Sequence, residues 1–208
     1  MKDTTEKVIE SCLASLKGEI LQELSEEEAI QYVTWIRTLL SETIKDRKEK
    51  VLLAQIKKCK EEDIDNIKKL KKKKKTYMPL NYPKDLKIGD IVYVNFGYGY
   101  CNEISKGHYG IILSNIRANM YLTLPLSSEP LKAMPIGLTD LGLPNAEGLK
   151  VGKISYLCFD QLRYLHYRRI EKIKGISDGI IPLSSEKLKF VMEKVQEFLD
   201  LGVDKIHD

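Results

Sequence analysis

The apolar positions of this chain change their period once, near residue 86. Across residues 5–24, Val8, Ile9, Leu13, Leu16, Ile20 and Leu24 recur at helical spacing. Ser25 then opens Ser-Glu-Glu-Glu, and Ser25 with Glu28 has the spacing of a capping box for a second helix. That helix carries Ala29, Val33, Ile36, Leu40 and Ile44 along one side, and Trp35 reads as a core anchor or as an exposed recognition residue. No Gly or Pro interrupts it, so the pattern extends through Leu52 and Ile56 to Cys59. A stripe of this length predicts a helical hairpin or a coiled coil.

From residue 86 the period shortens towards two. Strands are expected at residues 91–96, 109–113, 121–126, 134–138, 154–159 and 169–173, with Gly and Pro between them. Short strands punctuated in this way predict a small antiparallel barrel or a strongly bent sheet. Pro182, Ser184 and Ser185 open a last helix with Leu188, Val191, Val195 and Phe198 on one side and Gly202 as its stop. The expected fold class is α+β: a helical region over 1–70, then a small antiparallel β-barrel-like domain with a C-terminal helix over 86–208. Between them, residues 68–75 end in five consecutive lysines, and Pro79 and Pro83 follow. Blocks of like charge repel and stay solvated, so 71–85 reads as a lysine-rich linker. The same run is a candidate for salt-sensitive, nonspecific contact with RNA phosphates.

Composition adjusts this picture only slightly. A length of 208 residues predicts one or two domains, and 43% hydrophobic with 31% charged residues is ordinary for a soluble protein. The formal net charge of +4 supports a nucleic-acid partner weakly. No apolar run approaches the roughly 18 residues of a membrane span. The N-terminus carries Asp3, Glu6 and Glu10 and lacks a signal-peptide core. Cys12, Cys59, Cys101 and Cys158 have no metal-type spacing and read as free thiols in a reducing cytoplasm.

The densest chemistry lies in residues 89–114, GDIVYVNFGYGYCNEISKGHYGIILS. This stretch reads as strand, glycine-rich loop, strand. Gly97 and Gly99 flank Tyr98, Tyr100 follows, and Glu103, Lys106 and His108 precede the second apolar run. Glycines let such a loop adopt unusual backbone angles and admit a ligand close to the main chain. Loops pinned by a rigid sheet are common sites of binding or chemistry. Read from the residues alone, His108 is a loop hydrogen-bonding group or a catalytic one, and Ser127 a strand-end cap or a phosphate contact. Arg163 is equally a structural ion pair or a phosphate ligand, and the tyrosines pack at an interface or stack on bases.

The order of these features resembles the MazF/PemK family of type II toxin–antitoxin toxins, which are endoribonucleases. The resemblance rests on G-D-I-V-x-V-x-F-G and its following loop, on YLTLPLS at 121–127, on SYLCFDQLRYLHYRRI at 155–170, and on the final helix. It covers roughly residues 86–202 and none of the first 80 or so. It implies a compact barrel-like fold, shared with the gyrase poison CcdB, and metal-independent cleavage of single-stranded RNA by 2′-hydroxyl attack. It also implies a cytoplasmic homodimer with a cognate antitoxin, no cofactor, no metal and no membrane.

Carried over by position, His108 would be the acid, the base or both, Ser127 would contact the reacting phosphate, and Arg163 would hold phosphate or support the loop through a carboxylate. Tyr98 and Tyr100 would stack on unpaired bases, with Glu103, Lys106 and Gln161 along the RNA path. The sequence departs from the family at two places: His108-Tyr109 stands where Arg-Pro is usual, and His166 stands where an acidic residue often follows Gln-x-Arg. A histidine can still give or take a proton near neutral pH. The alternatives are a non-catalytic nucleic-acid- or protein-binding module on the same fold, and a CcdB-like toxin with a protein target. For the helical region, the expectation is that it restrains the second domain or pairs two chains through a coiled coil.

Overall fold

The computed structural model describes residues 2–79, 81–83, 85–99, 103–117, 119–128, 134–137 and 154–203. The chain divides into two units, Met1–Tyr77 and Met78–Asp208.

The first unit is built from helices α1 (Lys2–Glu23), α2 (Glu26–Lys58) and α3 (Ile64–Lys75). The capping box forms as its spacing predicts. The Glu28 N–H donates to Ser25 Oγ at 3.4 Å, and the Ser25 N–H donates to the Glu28 carboxylate at 3.0 Å. The helix ends at Cys59, whose N–H still reaches back to the carbonyls of Gln55 and Ile56. In α2, Leu52 and Glu49 are buried, and Glu49 is compensated by Lys74 of α3 at 3.6 Å. Of the rest of the expected stripe, Val33, Ile36, Leu40 and Ile44 are exposed, and Ala29, Ile56 and Cys59 are half-buried.

The lysine run corrects the linker expected over 71–85. Lys71–Lys75 lie inside α3 instead of opening a linker. Lysine is a good helix former, and cations in a last turn interact favourably with the helix dipole. Mutual repulsion therefore does not melt the segment. The helix ends at Thr76, ahead of Pro79.

Among the described residues, the second unit is an eight-stranded antiparallel sheet with one long α-helix. Its strands are β1 (Asp90–Gly97), β2 (Lys106–Arg117), β3 (Met120–Ser127), β4 (Met134–Gly137), β5 (Ile154–Leu157), β6 (Arg163–His166), β7 (Ile170–Glu171) and β8 (Ile181–Pro182). They run in the order β4-β5-β3-β2-β1-β7, with β6 also pairing β3 and β8 pairing β1. Helix α4 spans Ser185–Val203. Its first turn is capped by Ser184, whose Oγ accepts the Lys187 N–H at 3.3 Å. The helix continues past Gly202, which is therefore not its stop.

The sheet is buried on both faces, so alternate residues of β1 enter different cores. Ile91 joins Ile111, Leu124, Leu157 and, from α4, Val191 and Val195. Val92, Val94 and Phe96 join Ile104, Ile112, Cys158, Leu165 and Ile170 on the opposite face. Each such side chain contributes about 1.5–3 kcal/mol by leaving water. Strands β6 and β8 were not expected. The strand anticipated at 154–159 ends at Leu157, and that at 169–173 reduces to β7, because short 3-10 turns occupy Phe159–Gln161 and Tyr167–Arg169. These turns swing the chain so that β6 lies against β3, pairing Thr123 with Arg163.

Candidate active site

The β1–β2 connection is shaped by a bulge. Register shifts between Asn95 and Gly97, and Gly97 pairs with Lys106. Gly97 has φ 83°, a left-handed angle that costs glycine little, and Lys106 holds a similar angle of 64° without that freedom. Asn95 Oδ1 accepts the Gly97 N–H at 3.0 Å and fixes the bend. A Cβ on Gly107 would overlap the Tyr93 hydroxyl, so the second strand begins in close contact with the first.

The returning limb of the loop is gripped from the 3-10 turn before β6 and from the first residue of β6. The Ile104 N–H donates to Gln161 Oε1 at 3.0 Å, and Arg163 Nη2 donates to the Ile104 carbonyl at 3.0 Å. Arg163 Nη1 also reaches the Glu103 carboxylate at 3.4 Å. The Gln-x-Arg spacing explains this: the two side chains flank Leu162 and clasp both backbone groups of one buried residue. Ile104 is only 3% exposed, so its N–H and C=O need such partners. Gln161, expected along the RNA path, holds the loop through its bond to Ile104.

Phe96 sits at the centre of the cluster. The Arg163 guanidinium lies 5.3 Å from its ring centroid, and the His108 ring meets it edge-on at 6.2 Å. Arg169 Nη1 donates to the Phe96 carbonyl at 2.7 Å. Burial, and then the neighbouring Arg163 charge, lower the Arg169 pKa below its ordinary value. The two guanidiniums therefore stand near enough to interact.

His108 pairs with Val94 across β1 and β2, and is half-buried. Tyr109 pairs with Leu126 on β3, so His108 and Ser127 stand one step further along the same two strands. Phe96, His108, Arg163 and Ser127 therefore belong to one face of the sheet. Ser127 is 4% exposed, and its N–H points to the Cys158 thiol. Burial first, and Asp160 second, push that thiol up to about 11, against the lowering effect of the Ser127 N–H. Cys158 is consequently a neutral core group, not a nucleophile. Tyr98 is 37% exposed and Lys106 is exposed, whereas Tyr100 lies outside the described residues. His166, in the position of the expected acid, accepts the Arg168 N–H at Nδ1 over 3.4 Å and caps the turn before β7.

Three participants were not anticipated: Phe96, Ile104 and Arg169. Phe96 reads as an ordinary strand residue and Ile104 as a loop residue, because neither type signals chemistry. The Arg168-Arg169 pair after His166 was the available signal for a second cation.

No protein-family model and no curated protein matches the chain. Among solved structures, it is similar to the crystal structure of MazF (Form-I) from Deinococcus radiodurans. That similarity has 21% sequence identity, covers 58% of this chain and 99% of that one, and has a TM-score of 0.39.

Proposed function

We propose that the second unit is a metal-independent endoribonuclease that cuts single-stranded RNA, acting as the toxin of a type II toxin–antitoxin pair. The observation that carries the proposal is the convergence of His108, Arg163 and Arg169 around Phe96, beside the loop that presents Tyr98. The site offers a proton-transfer group, two fixed cations and an exposed aromatic, which are the parts that RNA cleavage needs.

In the proposed reaction the 2′-oxygen loses its proton to a base and attacks the adjacent phosphorus. The bond to the 5′-oxygen breaks as that oxygen takes a proton, leaving a 2′,3′-cyclic phosphate and a 5′-hydroxyl. His108 serves as base, acid or both. Arg163 and Arg169 stabilise the phosphoryl oxygens while also shaping the loop, since a guanidinium can bond in two directions at once. Tyr98 stacks on an unpaired base, and Tyr100 is proposed to do the same. Because Ser127 is buried, we assign it a supporting position behind His108. Two copies pair through the exposed stripe of α2, and a separate antitoxin protein silences the site.

The test is purified protein with single-stranded RNA and a chelator, run beside His108→Ala prepared identically. Cleavage by the parent and not by the variant supports the reading. Cleavage by both places the activity elsewhere. Intact RNA with measurable binding favours a non-catalytic module, a reading supported by the engagement of Arg163 with Glu103 and Ile104.

A further inference from the structure

The first unit carries a groove between α2 and α3 that the catalytic proposal does not use. Its volume is about 350 Å³, and Arg47, Lys48, Val51, Leu52, Lys73 and Tyr77 line it. That volume falls within the range of about 300–1,000 Å³ typical of ligand sites. Its wall is partly apolar, and the Lys48 ammonium stands 5.5 Å above the Tyr77 ring.

The charges around it are sorted. Asp46 pairs with Lys50 at 2.6 Å, Glu49 with Lys74 at 3.6 Å, and Glu42 with Lys45 at 2.6 Å. The carboxylates of this part of α2 are thus engaged by other lysines. Among the described residues, no carboxylate lies within ion-pair distance of Arg47, Lys48 or Lys73. The positive charge does not end at the groove. Lys69, one turn before Lys73, extends it on the same side of α3, and Lys68, Lys72 and Lys75 are exposed on the adjoining face, Lys68 at 4.0 Å from Asp65. Lysines four apart on one helix, such as Lys69 and Lys73, repel one another, and a bound polyanion would remove that repulsion.

We propose that this groove is a second binding site, for a strand of single-stranded nucleic acid. Arg47, Lys48 and Lys73 hold successive phosphates, and a base packs against Tyr77 and Val51. The line of lysines on α3 matches an extended chain of charges better than a single compact anion. The aromatic wall provides a surface that an acidic peptide has no particular use for. The site serves to retain RNA on the helical unit and does not depend on whether the second unit cuts it.

The experiment measures binding of a labelled 2′-deoxy oligonucleotide to the full chain at several salt concentrations. Such a strand has no 2′-hydroxyl, so binding is read without cleavage. Replacing Arg47, Lys48 and Lys73 together by Ala should weaken binding roughly tenfold or more and reduce the salt slope by about 2, at about 0.7 for each lost phosphate contact. Single Lys48→Gln and Lys73→Gln variants should each lower the slope by about 0.7, which keeps the test available if the triple variant folds poorly. Lys73→Arg should retain binding, and Tyr77→Ala should weaken it more than Tyr77→Phe.

Unchanged affinity and slope in the folded triple variant would overturn the proposal. So would uridine monophosphate competing as well as the strand, or polyglutamate or phosphatidylserine vesicles binding equally tightly through the same three residues. If the parent chain binds the strand through this groove but leaves RNA uncut, the nuclease reading fails while the groove stands.

Discussion

Arg163→Lys separates charge from geometry at the proposed site. Arg163 makes two contacts that diverge from one planar group, to the Ile104 carbonyl at 3.0 Å and to Glu103 at 3.4 Å, and it lies over Phe96. A lysine retains one positive point but cannot span both directions from above the ring. A hydrogen bond from a charged group to a carbonyl contributes about 1.5–3 kcal/mol. The Glu103 contact adds little, because that side chain is 51% exposed and the distance is long. We therefore expect a net loss of about 1–2 kcal/mol, concentrated in the hold on Ile104.

If that loss falls on the closed loop alone, its equilibrium shifts roughly tenfold. The melting temperature of the second unit should fall by about 3–8 °C. Cleavage of single-stranded RNA should fall by tenfold or more, because the loop that carries Tyr98 beside His108 is no longer fixed. Thermal melting followed by circular dichroism and cleavage of a fluorescent RNA measure the two effects on the same preparation. An Arg163→Lys protein that melts and cleaves like the parent would refute the forked contact and remove Arg163 from the site.

His108→Ala should lower cleavage by about two to four orders of magnitude, with RNA affinity changing much less, as measured by single-turnover kinetics and anisotropy. Cys12 is exposed and should react at once with a thiol reagent, whereas Cys158 should react only on unfolding. Burial raises the Cys158 pKa from 9.0 to about 11, so the unfolded chain releases this proton first and its contribution to stability is lost as pH rises from 9 to 11. Denaturant titrations of the parent and of Cys158→Ala should converge across that window, and parallel pH profiles would contradict the assignment. Paired Leu40→Glu and Ile44→Glu substitutions on exposed α2 should convert a dimer to a monomer in sedimentation, and a parent that is already monomeric would remove α2 as a pairing surface.

The sequence made the large elements legible where pattern and local chemistry agree. The Ser25–Glu28 box and the unbroken helix behind it form as the residues dictate. The first three strands also do, because apolar alternation from Ile91 and Tyr121 feeds two cores. The lysine run misleads because repulsion predicts solvation, not backbone conformation, and a solvated run remains helical when its residues favour a helix. The strand at Arg163–His166 is hidden because its pairing to β3 depends on a 3-10 turn with no periodicity of its own. At the site, His108 and Arg163 stand out by residue type. The clasp on Ile104 does not, since a backbone group carries no sequence signature. The role of Gln161 as a support follows only from knowing where Ile104 lies.

The central claim is that this chain cuts RNA by attack of the 2′-hydroxyl at the loop beside His108. The most direct measurement is the end chemistry of fragments from a long single-stranded RNA incubated with purified protein and a chelator. The account predicts 2′,3′-cyclic phosphate and 5′-hydroxyl ends, produced by the parent and absent with His108→Ala. RNA left intact by the parent, or fragments that carry 5′-phosphate ends, would contradict it.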